Sequence, residues 1–279
     1  MGSFDYRSGK YTSYPPAQPI TVRQLLTHTS GYGYWFLNAE LRALTSDAPE
    51  YYNPPFLMSE PGSRFSYGIS TDVLGQLIAP LSGVELETFL QQRILGLLGM
   101  RDTGFKVPAD ARLATLSALT KDGCVETPNE TAGEGPRGGG ALYSTARDYL
   151  VLLRLLLNEG RLDDLQLLRA ESVREMTRNQ IGELTAERQT TAAPHRTDDF
   201  LFMDGSQKFG FGVLIETRGK PNGRAAGCYG WAGIYNTYFW VDPTTQIGAV
   251  VFMQMSPFSA PVCIELCDRF EISVYDGVI

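Results

Sequence analysis

A chain of 279 residues, 43% of them hydrophobic, can bury a sizeable core in one large domain or two interlocked lobes. The net charge of -7 is spread over interspersed acids and bases with no basic block, which argues against nucleic acid as a partner. No apolar run reaches spanning length, so no membrane partner is expected. Four cysteines (Cys124, Cys228, Cys263, Cys267) form no C-x-x-C pair, and only His28 and His195 offer imidazoles. Neither a metal nor a cofactor is therefore expected, and the cysteines read as reduced packing thiols. The residues after Met1 are neither basic nor apolar, so no signal peptide is read in these residues; location is left unknown, with cytoplasmic as the default, because a missing N-terminus would make this silent on export.

In chain order, residues 1–19 read as an extended lead-in rather than a packed element, ending in Pro15-Pro16 and Pro19. Thr21 and Gln24 have capping-box spacing and open a helix with Val22, Leu25 and Leu26 on its apolar face. His28 falls in its last turn and Gly31 ends it. Residues 32–60 are rich in aromatics; Tyr32, Tyr34, Trp35 and Phe36 suit either a core or an apolar pocket wall. The Pro61-Gly62 turn leads into a short extended piece. Ser70 then has the chemistry of an N-cap, with Asp72 in the first turn and Val73, Leu74, Leu77, Ile78 and Leu81 at helical spacing. This places Tyr67 on a loop just before a helix N-terminus. A tyrosine fixed there carries protons if something lowers its pKa from about 10; a packing tyrosine, one of 14, is the plainer reading.

A second helix is expected over about 85–98, with Leu86, Phe89, Leu90, Ile94 and Leu97 inward and Gly99 as its stop. Residues 106–137 read as loop, and Gly138-Gly139-Gly140 as a tight packing turn, since no P-loop lysine or Rossmann spacing accompanies it. Ser144 is the expected cap of a helix to about Asn158, with Asp148 early and Leu152, Leu155 and Leu156 inward; a further helix covers about 170–179. Residues 181–207 read as a long, weakly patterned loop in which His195 is solvated. From 208 the period becomes that of strands: 209–216, 235–241 and, after the turn at Asp242-Pro243, 247–254, forming an antiparallel meander. Pro261 opens a C-terminal helix with Val262, Leu266, Phe270 and Val274 as its apolar positions. The expected class is α+β, an antiparallel sheet flanked by helices plus a helical subdomain.

Several strings carry a family resemblance. They are Ile20 to Gly31 (ITVRQLLTHTSG), Pro61 to Gly75 (PGSRFSYGISTDVLG), Leu98 to Phe105 (LGMRDTGF), Gly138 to Tyr149 (GGGALYSTARDY) and Gly230-Trp231-Ala232-Gly233. Together they resemble the serine β-lactamase-like superfamily, of the class C β-lactamase and family VIII carboxylesterase type. The resemblance implies a single β-lactamase/transpeptidase-like domain over 1–279, with a mainly helical and loop lobe at about 32–205 and the sheet and C-terminal helix at about 206–279. It implies that Tyr67 is the tyrosine of the second motif, that His28 is structural, and that Trp231, Ala232, Gly233 and Ile234 form the third motif beside an oxyanion. For the third motif the plainer alternative is a buried strand tryptophan followed by a bulge glycine. A tryptophan where β-lactam-cleaving members commonly carry lysine suggests small neutral acyl esters or amides as substrates.

The family's first motif, Ser-x-x-Lys, puts hydroxyl and amine on one helical face so that the amine helps deprotonate the serine. No serine in this chain has lysine three residues on; Ser144 has Arg147, which holds its proton too tightly to act as a base. The expectation is therefore a β-lactamase-like domain lacking its N-terminal strands and nucleophile helix. Tyr67 would stay protonated, a sheet edge would be open and apolar surface uncovered. Three functions remain: a carboxylesterase-like serine hydrolase that works through an acyl-enzyme in its full-length form, this truncated chain being inactive alone, with a completing chain or a homo-oligomer as its partner; a ligand-binding pseudoenzyme; or an intact β-lactamase or acyltransferase using another nucleophile such as Ser66 or Ser70.

Overall fold

In a computed structural model, the backbone is described for residues 2–5 and 10–13, and the full structure for residues 15–44, 56–106, 113–128 and 135–277. The lead-in is extended, as its composition suggests, but its two pieces pair: β1 (Gly2–Asp5) runs antiparallel to β2 (Lys10–Ser13). Helix α1 (Val22–Leu26) starts on the capping box anticipated from spacing. The Thr21 hydroxyl accepts the Gln24 amide, and the Gln24 side chain accepts the Thr21 amide. A 3-10 turn at Trp35–Leu37 and helix α2 (Ala39–Leu44) follow. Part of the aromatic stretch, 45–55, lies outside the described residues.

Helix α3 (Ser70–Ser82) lies where the periodicity placed it, but Ser70 is not its cap. Its fully buried hydroxyl instead meets that of Ser30 at 2.8 Å, tying α3 to the loop after α1. The helix expected over 85–98 is α4 (Leu86–Leu90) followed by a π-helical turn at Gln91–Leu95. The wider turn rotates the residues after it. Leu95 and Leu98 are therefore buried, and Leu97, the expected inward residue, is 52% exposed.

The stretch read as loop contains a hairpin, β3 (Leu116–Thr120) with β4 (Gly123–Thr127); its flanks 107–112 and 129–134 lie outside the described residues. The cap of α5 (Ala146–Leu157) is Thr145, one residue later than expected, and its hydroxyl accepts the Asp148 amide at 3.2 Å. A small hairpin of β5 (Arg161–Leu162) and β6 (Leu165–Gln166) precedes α6 (Ala170–Met176). Residues 181–207 hold no helix or strand, yet Ala186, Ala193, Thr197, Phe200 and Met203 are buried in the core.

The meander is real and longer than the sequence suggested. The stretch expected as one strand at 209–216 is two, β7 (Lys208–Phe209) and β8 (Leu214–Ile215), folded back on each other. With β9 (Tyr229–Gly233), β10 (Thr237–Asp242) and β11 (Ile247–Phe252) they form one antiparallel sheet in the order β11-β10-β9-β8-β7. Strand β12 (Met255–Ser256) joins β3 in parallel. Among the described residues β11 pairs only with β10, so its outer edge is open.

Helix α7 (Pro261–Asp276) closes the chain. One face of the sheet packs Tyr229 and Val241 against Leu153 and Leu156 of α5; on the other, Trp240 and Ala249 meet Tyr275 of α7. The buried residues of α7 are Cys263, Cys267, Glu271 and Tyr275, spaced by four, not the series Val262, Leu266, Phe270, of which Val262 and Leu266 are half exposed. On the inner face the Glu271 carboxylate is paired with Arg224, which explains the reversal. The cysteines are free, and Cys124 is exposed rather than packed. No single helix among the described residues is long and apolar enough to cross a membrane.

The glycine triplet is a packing turn. A Cβ on Gly138 would lie 1.9 Å from the Thr71 carbonyl oxygen, so the turn reaches α3 only without a side chain. Gly138→Ala should lower stability by about 1–3 kcal/mol, read as a fall in the urea midpoint. Gly135→Ala, whose added carbon meets nothing among the described residues, should leave the midpoint in place.

Candidate active site

Tyr67 is held by three consecutive backbone bonds. The Ser66 amide donates to the His28 carbonyl (2.8 Å), the Tyr67 amide to the Gln189 side chain (3.4 Å) and the Gly68 amide to His28 Nδ1 (3.3 Å). Gly68 makes the close approach to the α1–α2 connection possible. A Cβ there would lie 2.5 Å from the Tyr32 carbonyl oxygen and the Gly33 Cα. The half-buried Tyr67 ring is packed by His28 (4.6 Å between centroids), Tyr34 (5.3 Å), Phe200 (6.0 Å) and Trp231 (4.8 Å).

Trp231 stands on β9 and its Nε1–H donates to the Tyr67 hydroxyl at 3.1 Å, across 164 residues of sequence. Where β9 turns into β10, the half-buried Ile234 amide donates to no acceptor among the described residues. The two motifs therefore share one cleft of about 1360 Å³, which Tyr67, Trp231, Ala232, Gly233 and Ile234 all line. That is larger than the range of about 300–1,000 Å³ common for small-molecule sites. Tyr34 and Trp35 form part of its wall, while Phe36 lines it and is buried as well, so it serves both core and pocket. His195 is exposed at the cleft, 6.2 Å from Trp35 between ring centroids.

Burial pushes the Tyr67 phenol up to about 12; the Trp231 N–H pulls it down and the Asp72 carboxylate adds to the rise. Among the described residues no ammonium acts on it. At neutral pH the phenol is thus protonated, and with Trp231 donating to its oxygen, its own proton is available to a group in the cleft. Burial likewise raises Asp72, against the Gly139 amide (3.0 Å) and the Tyr34 hydroxyl (3.5 Å), which both donate to it. His28 is 2% exposed, and burial drives its pKa down to about 3, so it is a neutral acceptor, consistent with a structural role.

Sequence reasoning missed Asp72 as a neighbour of Tyr67, reading it only as a first-turn acid. It also missed Gln189 and Phe200, which reach the site from the segment read as loop. The pairing of Asp72 with the glycine triplet had a signal: a turn that close to a helix leaves an amide in need of an acceptor. Ser70, weighed as a nucleophile, is fully buried against Ser30. Among the described residues no group of three or more His, Cys, Asp or Glu could hold a metal.

The family model described as Beta-lactamase matches residues 9–265. The chain belongs to the β-lactamase family. It is 30% identical over 267 residues to protein Rv1367c of Mycobacterium tuberculosis, covering 88% of this chain and 65% of that protein. It is 28% identical over 280 residues to monacolin J acid methylbutanoyltransferase of Aspergillus terreus, covering 92% of this chain and 67% of the relative. A mutant of simvastatin synthase (LovD) from Aspergillus terreus superposes with a TM-score of 0.82 at 28% identity, over 99% of this chain and 71% of that one. The fold is thus β-lactamase/transpeptidase-like, and this chain spans about two thirds of the length of such family members.

Proposed function

We propose that these residues form the acyl-binding cleft of a β-lactamase-family enzyme that moves an acyl group from a small-molecule ester to water or to an alcohol. The observation that carries this reading is the 3.1 Å hydrogen bond from Trp231 to Tyr67, beside an Ile234 amide with no other acceptor among the described residues. An ester carbonyl in the cleft would meet the Ile234 N–H as its oxygen gains charge. A serine hydroxyl attacks and forms the acyl-serine ester, its proton passing to the amine of its Ser-x-x-Lys pair; the leaving alkoxide takes a proton from the Tyr67 phenol, which that amine then reprotonates. Water or an acceptor alcohol then attacks the acyl-serine and returns the serine hydroxyl. The acyltransferase relative acts, by its name, on monacolin J acid, which supports a bulky acyl or alcohol partner. Trp231 brings no charge, which favours neutral esters over anionic β-lactams.

The attacking serine belongs, on this reading, to residues outside these 279, whether on a longer chain or on a completing partner, because no Ser-x-x-Lys occurs here. A ligand-binding protein without chemistry is the second reading, supported by the protonated Tyr67. Hydrolysis of p-nitrophenyl butyrate by the 279-residue chain tests whether the attacking serine lies outside these residues. The rate should equal that of Tyr67→Phe. Turnover above that control would place the attacking group within these residues and overturn the assignment.

A further inference from the structure

We infer that His28 is the positioning residue of Tyr67, setting where the phenol stands by gripping the backbone on both sides of it. Its carbonyl accepts the amide before Tyr67 and its Nδ1 accepts the amide after it. Its ring also supports the Tyr67 ring at 4.6 Å. The Phe209 ring also packs on the imidazole, edge-on with 5.5 Å between centroids, so the histidine is itself fixed by packing. The backbone of His28 has a φ of 52°, a left-handed conformation uncommon for a side-chain-bearing residue, which turns both acceptors toward the 66–68 segment. Two acceptors from one residue fix the Cα between the two amides more tightly than either would alone. A chain needing only a buried aromatic here would be served by phenylalanine, which has no Nδ1. This role rests on the reading of Tyr67 as the proton carrier, but it concerns placement, which is measurable without turnover.

The geometry requires a neutral ring with its proton on Nε2. The chain has two histidines, so ¹⁵N-histidine spectra are assignable with a His195→Ala control. At pH 7 one residue should show an unprotonated Nδ1 and a protonated Nε2; a protonated Nδ1 on His28 overturns the proposal in the wild-type protein, whatever the variants do. The second readout is the Trp231 indole N–H, which donates to Tyr67. Tyr67→Phe gives its position when that bond is lost. In His28→Gln the carbonyl sits one bond too far out to replace Nδ1, and the Trp231 signal should move toward the Tyr67→Phe position while that of Trp240 stays. In His28→Asn, whose side-chain oxygen can occupy the Nδ1 place, it should return to the wild-type position. A Trp231 signal unmoved in His28→Gln, or Trp231 and Trp240 shifting together in both variants, would reduce His28 to a packing residue. Failure of the ester reading would leave these shifts unchanged, so the two ideas fall separately.

Discussion

Acidification should cost the fold about 3 kcal/mol through His28 alone by pH 4. In the folded chain His28 is neutral down to about 3, because burial penalises the charged ring. In the unfolded chain it takes a proton near 6.5. Between those values the unfolded state binds the extra proton, so stability falls as pH falls through the window and levels off below about 3, at a limit of about 5 kcal/mol. Above pH 6.5 both states are neutral and the contribution of this residue is flat. Urea unfolding at pH 7, 5.5 and 4 checks this when wild type is compared with His28→Asn, which removes the titration and leaves the carboxylates in place. The difference between the two curves should shrink or reverse as pH falls, in favour of the variant. Parallel curves would show that the imidazole is not held neutral.

Replacing Glu271 by leucine should destabilise the chain by about 3–5 kcal/mol at pH 7. Its carboxylate is 2% exposed. One oxygen accepts the Arg224 amide and Nε–H, both at 2.9 Å; the other accepts Arg224 Nη2 at 2.7 Å. Burial pushes the Glu271 carboxyl up, but the hydrogen bonds and charge of Arg224 outweigh it and leave it below the usual range. The guanidinium is 17% exposed and stacks 4.5 Å over Trp240. Removing Glu271 takes away every carboxylate hydrogen bond that cation makes among the described residues and leaves it only the charge of Glu216, which is where the cost arises. Lys220, 41% exposed and 3.2 Å from the same carboxylate, is a second cation and gives Arg224 no counter-charge when Glu271 is gone. The double variant Arg224→Met/Glu271→Leu should recover most of the loss. A Glu271→Leu midpoint within error of wild type would mean the cation finds water instead.

The same pair shows why the C-terminal helix was misread from its sequence. A buried face that includes a glutamate and two cysteines looks polar, and the outward Val262, Leu266 and Phe270 look like a core stripe, until Arg224 supplies the missing charge from 47 residues away. The π-helical turn at Gln91–Leu95 defeated the other helical pattern in a different way, by breaking the period itself. What was legible was local: the capping box at Thr21, the meander, and the strings around Tyr67 and Trp231. Those strings fixed the fold family and named both sides of the cleft. They did not reveal that Asp72 and Gly139 are bonded to each other, nor that His28 holds both amides flanking Tyr67, because such contacts join segments whose spacing in sequence carries no period.

The central claim is that Tyr67, Trp231 and Ile234 face one acyl-binding cleft. The most direct test is titration of the ¹⁵N-labelled chain with N-(4-nitrophenyl)butanamide, an amide that mimics a nitrophenyl ester without its labile bond. The Trp231 indole and the Ile234 amide should shift together and saturate along one binding curve, with Trp240, packed between the sheet and α7, unmoved. Saturable binding that shifts other residues and leaves Trp231 and Ile234 where they were would contradict the account.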